Sequence, residues 1–183
     1  MKRNLIIIVL IFITAFGCKS PEPRKPKTVR SGSFIEESVK RNKALNQKET
    51  DAIKTIMANQ PDNKYQASGN GFWYYYNTKV ETDSISKITP EFGDVVTFNY
   101  SVKDLDGNTI YTKEELKTQH YAMDQQELFS GLREGLKLMQ VGETTTFIFP
   151  SQKAYGYYGD ENKIGTNIPI ICEVFVHSIT KRE

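Results

Sequence analysis

This 183-residue sequence predicts an α+β fold, an antiparallel sheet curled as a half-barrel around one short helix. Three observations carry that reading. Apolar residues alternate along several short segments, as on strands with one buried face. A single amphipathic helix interrupts them without the regular strand–helix–strand spacing of a parallel sheet. Aromatic residues make up 11% of the chain, chiefly Tyr and Phe, which suits packing on a sheet. An N-terminal helix and a leader precede this unit.

The leader opens with Lys2-Arg3 and continues through nine consecutive apolar residues, Leu5 to Ile13. Nine residues rise about 14 Å as a helix, under half of a bilayer core of about 30 Å. Residues 1–17 are therefore expected to be a signal peptide and not a membrane span. The Gly17-Cys18 junction resembles a bacterial lipobox, although Ala15 and Phe16 depart from its usual pattern. Cys18 is accordingly expected to carry lipid; the alternative is an ordinary signal peptide with an incidental Cys. Each buried methylene of an acyl chain adds about 0.8 kcal/mol, so two or three chains anchor firmly. Residues 18–32, with Pro21, Pro23 and Pro26 among charges, cannot bury a core and read as an extended tether.

Residues 33–70 form an N-terminal helical segment. Ser33 and Glu36 have capping-box spacing, and Pro61 predicts a stop near Asn59. Leu45, Ala52, Ile53, Ile56 and Met57 give the helix a thin apolar face. Residues 71–183 are the main domain, led by the aromatic strand Phe72 to Tyr76, whose side chains are expected to pack on the sheet. A strand from Val95 to Val102 places Val96, Phe98, Tyr100 and Val102 on one face. The Asp106-Gly107 turn leads to a short strand, Thr109 to Thr112. Asp124 can cap a helix ending near Met139, with Leu128, Phe129, Leu132, Leu136 and Met139 on its apolar side. Strands from Thr144 to Phe149 and from Ile168 to Ile179 complete the sheet.

Charge and residue counts exclude several functions. Between residues 31 and 183 there are 17 basic and 21 acidic groups, so the folded part is net −4 and the basic excess lies in the leader and tether. A nucleic-acid binder concentrates positive charge on its folded domain. With two Cys in all, and two His, His120 and His177, standing apart from any Cys, neither a disulfide framework nor a metal centre is expected. Both His read as surface strand residues. No cofactor is implied.

The ordered segments Gly93-Asp94…Phe98-Asn99-Tyr100, Asp106 to Ile110, Gly131-Leu132-Arg133-Glu134-Gly135-Leu136, Met139-Gln140-Val141-Gly142-Glu143 and Pro150…Ala154-Tyr155-Gly156 resemble the FKBP-type peptidyl-prolyl isomerases. The resemblance covers roughly residues 88–182. The lipobox, the helix ending Asn59-Gln60-Pro61 and the run Gly71 to Tyr76 resemble more narrowly the FKBP-type lipoproteins associated with gliding motility. The resemblance implies catalytic roles for Tyr100, the main-chain N–H of Phe129 and the Tyr155 hydroxyl. It implies a substrate pocket lined by Ile110, Tyr111, Tyr121, Leu128, Leu132, Ile164 and Cys172. Leu136 belongs to the core of any such helix.

Departures from the family pattern are informative. Tyr111 stands where the family has an acid, which removes a negative charge near the rim. Leu132 replaces the floor Trp, while Ile110 and Cys172 each replace Phe. Aromatic rings bury about 150–250 Å² each, so the pocket should be shallower. Gly165-Thr166 replaces Pro-Pro, which predicts a looser loop. The expectation is a working but weakened, less drug-sensitive isomerase. It would be a monomer anchored by lipid in the bacterial cell envelope, facing the periplasm and assisting exported proteins or motility machinery. The alternatives are a module that holds proline-containing partners without turnover, and a lipoprotein that uses the fold only as a scaffold.

Overall fold

The alternating run Val96, Phe98, Tyr100 and Val102 organises the sheet. In the computed structural model, which describes residues 31–81 and 88–182, these four side chains are buried along β3 (Val95–Lys103) while the intervening ones face outward. The leader, Cys18 and the tether to residue 30 lie outside the described residues. The chain divides into two compact units, 1–38 and 39–183. The division falls within α1 (Ser31–Asn59). In the first unit, Phe34 and Ile35 are exposed.

Helix α1 ends at Asn59, two residues before Pro61, as expected from the missing N–H of proline. It begins at Ser31, so Ser33 lies inside it and not at its cap. Of the expected apolar face, Ile53 is fully buried, Leu45, Ile56 and Met57 are half-buried, and Ala52 is exposed. Among the described residues, no helix is long and apolar enough to cross a membrane.

After α1 come β1 (Gln66–Ala67) and β2 (Trp73–Thr78), then β3 and β4 (Thr109–Tyr111). A four-residue helix, α2 (Lys113–Leu116), precedes β5 (Gln119–Ala122) and α3 (Ser130–Leu136). Strand β6 (Thr144–Phe149), a 3-10 turn at Ser151–Lys153 and β7 (Ile170–Thr180) complete the order. Among the described residues the strands form one seven-stranded antiparallel sheet, β1-β2-β6-β7-β3-β4, with β5 also on β3. The long central pair is β3 with β7, in which Tyr100 faces Val174 and Val102 faces Cys172. Strand β7 buries Ile170, Cys172, Val174 and Val176 by the same alternation.

The aromatic strand packs on the sheet as expected. Phe72 is buried against Phe147 and Phe149, with ring centroids 5.9 and 5.2 Å away. Tyr74 meets Phe147 at 6.0 Å. His120 and His177 are exposed on β5 and β7.

Helix α3 is shorter than the spacing of apolar residues suggests. Asp124 does not cap it: its backbone has φ +59, in a turn, and Phe129 occupies the N-cap position. The Asp124 carboxylate instead pairs with Lys137 at 3.0 Å. The helix buries Leu132 and Leu136 completely. Its two glycines decide how closely it approaches the sheet. A Cβ on Gly131 would lie 2.5 Å from the Phe149 ring and 2.7 Å from the Lys153 carbonyl, and one on Gly135 would lie 2.9 Å from Phe147. Those two rings stack nearly parallel, 5.5 Å apart. Beyond the helix, the turn at Met139 to Glu143 is held by the buried Glu143 carboxylate, which accepts the Gln140 N–H at 2.8 Å.

Gly131→Ala is therefore expected to destabilise the protein by about 1–3 kcal/mol through overpacking. Replacement of glycine in a helix otherwise gains about 0.5–1 kcal/mol. Urea unfolding gives the sign directly, and a stabilised variant would contradict the close approach.

Candidate active site

Strand alternation sends Tyr100 inward from β3, and the adjacent β4 brings Ile110 and Tyr111 beside it. The start of α3 supplies Leu128, Phe129 and Leu132. The segment between β6 and β7 supplies Tyr155 and Ile164. All ten pocket residues expected from the sequence fall in one apolar cluster. Tyr100, Tyr121, Leu132, Ile164 and Cys172 are buried, while Ile110, Tyr111, Leu128, Phe129 and Tyr155 are half-buried at its surface. Cys18, the expected lipid site, lies outside the described residues.

Leu128, Phe129 and Tyr155 border a hollow of about 530 Å³ with Gln126, Glu127 and Arg133. The Phe129 ring lies between Tyr155 and Phe149, at 5.0 and 5.4 Å. Its backbone is extended at the N-cap of α3, and among the described residues its N–H has no protein acceptor. Leu132 and Cys172 have no exposed surface and do not line this hollow, although they belong to the same apolar cluster. Tyr121 is also buried, and its hydroxyl accepts the Asp124 N–H at 3.2 Å. A larger hollow of about 630 Å³ opens on the opposite face of the sheet, beside Asn99, Glu173 and His177. It lies among outward-facing polar side chains, crossed by the Lys113–Glu173 ion pair, and it shares none of the tyrosines.

The tyrosine hydroxyls sit in a poorly solvated setting. Burial pushes Tyr100 up to about 12, with the nearby Cys172 adding and a hydrogen bond from Tyr155 opposing. Burial also holds Tyr155 well above the ordinary phenol value, reinforced by Tyr100, Cys172 and Asp160. The Cys172 thiol is pushed up by burial alone. Each of these groups stays protonated near neutral pH, so Tyr155 is a neutral donor and Cys172 an inert thiol.

The charge that Tyr111 was expected to delete is present. Asp160, from the segment after Tyr155, accepts a short hydrogen bond from the Tyr111 hydroxyl. The same carboxylate accepts the Ile164 N–H at 2.7 Å and the Asn162 N–H at 3.0 Å. Lys163 lies over the Tyr111 ring, 4.8 Å from its centroid. Burial raises the Asp160 carboxyl, but the hydrogen bonds from Tyr111, Ile164 and Asn162 outweigh it and leave the group below the ordinary carboxylate range. Sequence reading missed Asp160. Gly159-Asp160-Glu161-Asn162 announces only a turn, and nothing local says that Asp160 faces a residue 49 positions earlier.

The expectation of a loose loop also changes. The Asp160 N–H donates to the Ile164 carbonyl at 3.0 Å, and the Asn167 N–H to that of Gly156 at 2.8 Å. Gly159 allows this closure, since a Cβ there would lie 2.2 Å from the Ile164 oxygen. Cross-bracing replaces the stiffness that two prolines would supply.

Residues 86–177 match the family described as FKBP-type peptidyl-prolyl cis-trans isomerase, which is half of the chain. The chain belongs to that family. A curated relative, the probable FKBP-type peptidyl-prolyl cis-trans isomerase FkpA of Neisseria meningitidis serogroup B, is 29% identical over 85 residues. That match covers 46% of this chain and spans only 31% of the relative. Among solved structures, FkpA from Escherichia coli aligns with a TM-score of 0.59 at 18% identity, covering 98% of this chain and 83% of its own. A peptidyl-prolyl cis-trans isomerase from Pseudomonas syringae aligns at 0.57 and 20% identity, covering 76% and 96%. At these identities the two structures establish the FKBP-like fold.

The carboxyl of Asp160 titrates below its unfolded value, so its contribution to stability is complete above about pH 4 and is lost as pH falls through the folded value. Wild type should exceed Asp160→Asn in urea midpoint by a steady margin between about pH 6 and 8, and the margin should shrink below about pH 4. A margin that widens in acid would show the sign to be wrong.

Proposed function

We propose that this chain is a peptidyl-prolyl cis-trans isomerase acting on proline-containing polypeptides, with the turnover site at the hollow beside Phe129 and Tyr155. The observation that carries the reading is a Phe129 N–H with no protein acceptor among the described residues, in a hollow also bordered by Leu128 and the half-buried, neutral Tyr155. Family membership agrees with it.

The reaction turns an X-Pro peptide bond through a barrier of about 18–20 kcal/mol that arises from amide resonance. Uncatalysed, it takes tens of seconds or longer. No covalent bond breaks, so neither a nucleophile nor a general base is required. Rotation decouples the nitrogen lone pair from the carbonyl and makes the amide less polar. A site that excludes water penalises the planar, polar form more than the twisted one, which is complementarity to the transition state. Leu128 and the Phe129 ring supply that apolar surface at the hollow, and Ile110, Tyr121, Leu132, Ile164 and Cys172 belong to the apolar cluster they pack on. The Phe129 N–H and the Tyr155 hydroxyl hold the carbonyls flanking the rotating bond. The Tyr155 and Tyr100 side chains lie near one another, and rotation of the Tyr155 O–H offers its proton to a peptide carbonyl. Asp160 and Tyr111 tie the segment carrying Ile164 to β4, so the rim keeps a carboxylate.

The leader pattern and Cys18 support a lipid-anchored protein of the bacterial cell envelope, facing the periplasm, whose clients are exported proteins, gliding-motility machinery among them. A second reading, a binding module without turnover, is favoured by the complete burial of Leu132 and Cys172, which leaves a shallow surface for the proline ring.

A protease-coupled cis/trans assay on a soluble form beginning near Ser31 separates the two. Tyr155→Phe should lower kcat/KM about tenfold, the equivalent of one hydrogen bond, and leave the unfolding midpoint nearly unchanged. Rates at background with retained binding of proline peptides would favour the module.

A further inference from the structure

We propose that Glu49, on the N-terminal helix and outside the segment that matches the isomerase family, is a positioning residue for Tyr155. The proposal rests on the isomerase reading above and concerns the same site.

Glu49 is buried, with 5% of its surface exposed, and its carboxylate reaches Ser151 at the start of the segment that leads to Tyr155. One carboxylate oxygen accepts the Ser151 N–H at 2.8 Å and the other its hydroxyl at 2.7 Å. Ser151 is itself buried. Its carbonyl in turn accepts the N–H of Ala154 at 3.0 Å and that of Gly156 at 2.8 Å. Tyr155 therefore stands between two residues whose amides are tied to a single carbonyl, on the residue that Glu49 grips from the opposite side. Lys153, two residues before Tyr155, accepts the Ser130 hydroxyl on its carbonyl at 3.4 Å, beside Phe129. Both carbonyl-binding groups of the proposed site thus lead back to one clamped turn.

One turn later on α1, the fully buried Ile53 keeps the carboxylate in register. Asn46, one turn earlier, makes only an exposed contact, donating to the Gln152 side chain at 3.3 Å. A carboxylate left unpaired in such a place is costly, so its two hydrogen bonds to Ser151 are strongly conditioned on this geometry. Helix α1 is by this account part of the catalytic framework. Small displacements of a binding group are known to cost up to a hundredfold in rate even when they originate away from the chemistry.

The test compares the full chain with Glu49→Gln, Ser151→Ala, the double variant and Asn46→Ala, reading kcat/KM, the unfolding midpoint and amide exchange at Ala154 and Gly156. Glu49→Gln, which keeps the size but can no longer accept through both atoms, should lower kcat/KM about tenfold and speed exchange at both amides. Ser151→Ala should act in the same direction, and the double variant should fall short of the summed effects. Asn46→Ala, which loses only an exposed contact on the same helix, should leave kcat/KM near wild type. A Glu49→Gln protein with a lowered midpoint but kcat/KM within about twofold of wild type overturns the proposal and makes the contact purely structural. If wild type shows no turnover, the isomerase reading itself fails. Exchange at Ala154 and Gly156 then judges the clamp alone, and unchanged exchange in Glu49→Gln overturns it.

Discussion

The approach of α3 to the sheet governs the rest of the molecule. Gly131 and Gly135 lie four residues apart, on one face of the helix, and meet the stacked rings of Phe149 and Phe147 where no Cβ fits. Two glycines in a seven-residue helix are unfavourable for the helix alone, by about 0.5–1 kcal/mol each relative to Ala. Packing offsets that cost by burying Leu132 and Leu136 completely, at about 1.5–3 kcal/mol for each side chain. The same approach sets Phe129, at the helix entrance, against Phe149 on one side and Tyr155 on the other. The position of the candidate site follows from how closely one short helix can lie on β6.

Around that contact the protein assembles polar groups that low solvation keeps neutral, and places the Asp160 carboxylate where hydrogen bonds satisfy it. Tyr100, Tyr155 and Cys172 are all driven toward their protonated forms by burial. Asp160 is driven the other way by its three donors. Such an arrangement suits a reaction that needs a dry surface and fixed hydrogen bonds and needs no proton transfer. It also explains how Tyr111 can occupy a position that the family fills with an acid. The hydroxyl brings in a carboxylate from another segment, so the charge is relocated and not lost.

Much of this was legible in the residues. The strand at 95–103, the aromatic strand and the stop before Pro61 are local patterns, and each came out within a residue or two of its expected bounds. The helix near Leu132 was placed correctly but overextended, because the spacing of Leu128 and Phe129 mimics a helical face while their backbone is an extended approach to it. Strand β5 was not anticipated. Gln119 to Ala122 has little apolar alternation, and it becomes a strand by pairing with the first half of β3.

The sequence by itself determined the alternation that turns Tyr100 inward, the order of segments by which the family is recognised, and the residue types of the apolar cluster that holds Tyr100, Phe129 and Tyr155. These are properties of period, propensity and residue type, and they act over a few neighbours. Only the tertiary structure decided that Asp160 meets Tyr111 and that Glu49 meets Ser151, across separations of 49 and 102 residues. A carboxylate is drawn to whatever donors the fold brings within about 3 Å. That choice is made by packing, after the helix and sheet have closed on one another.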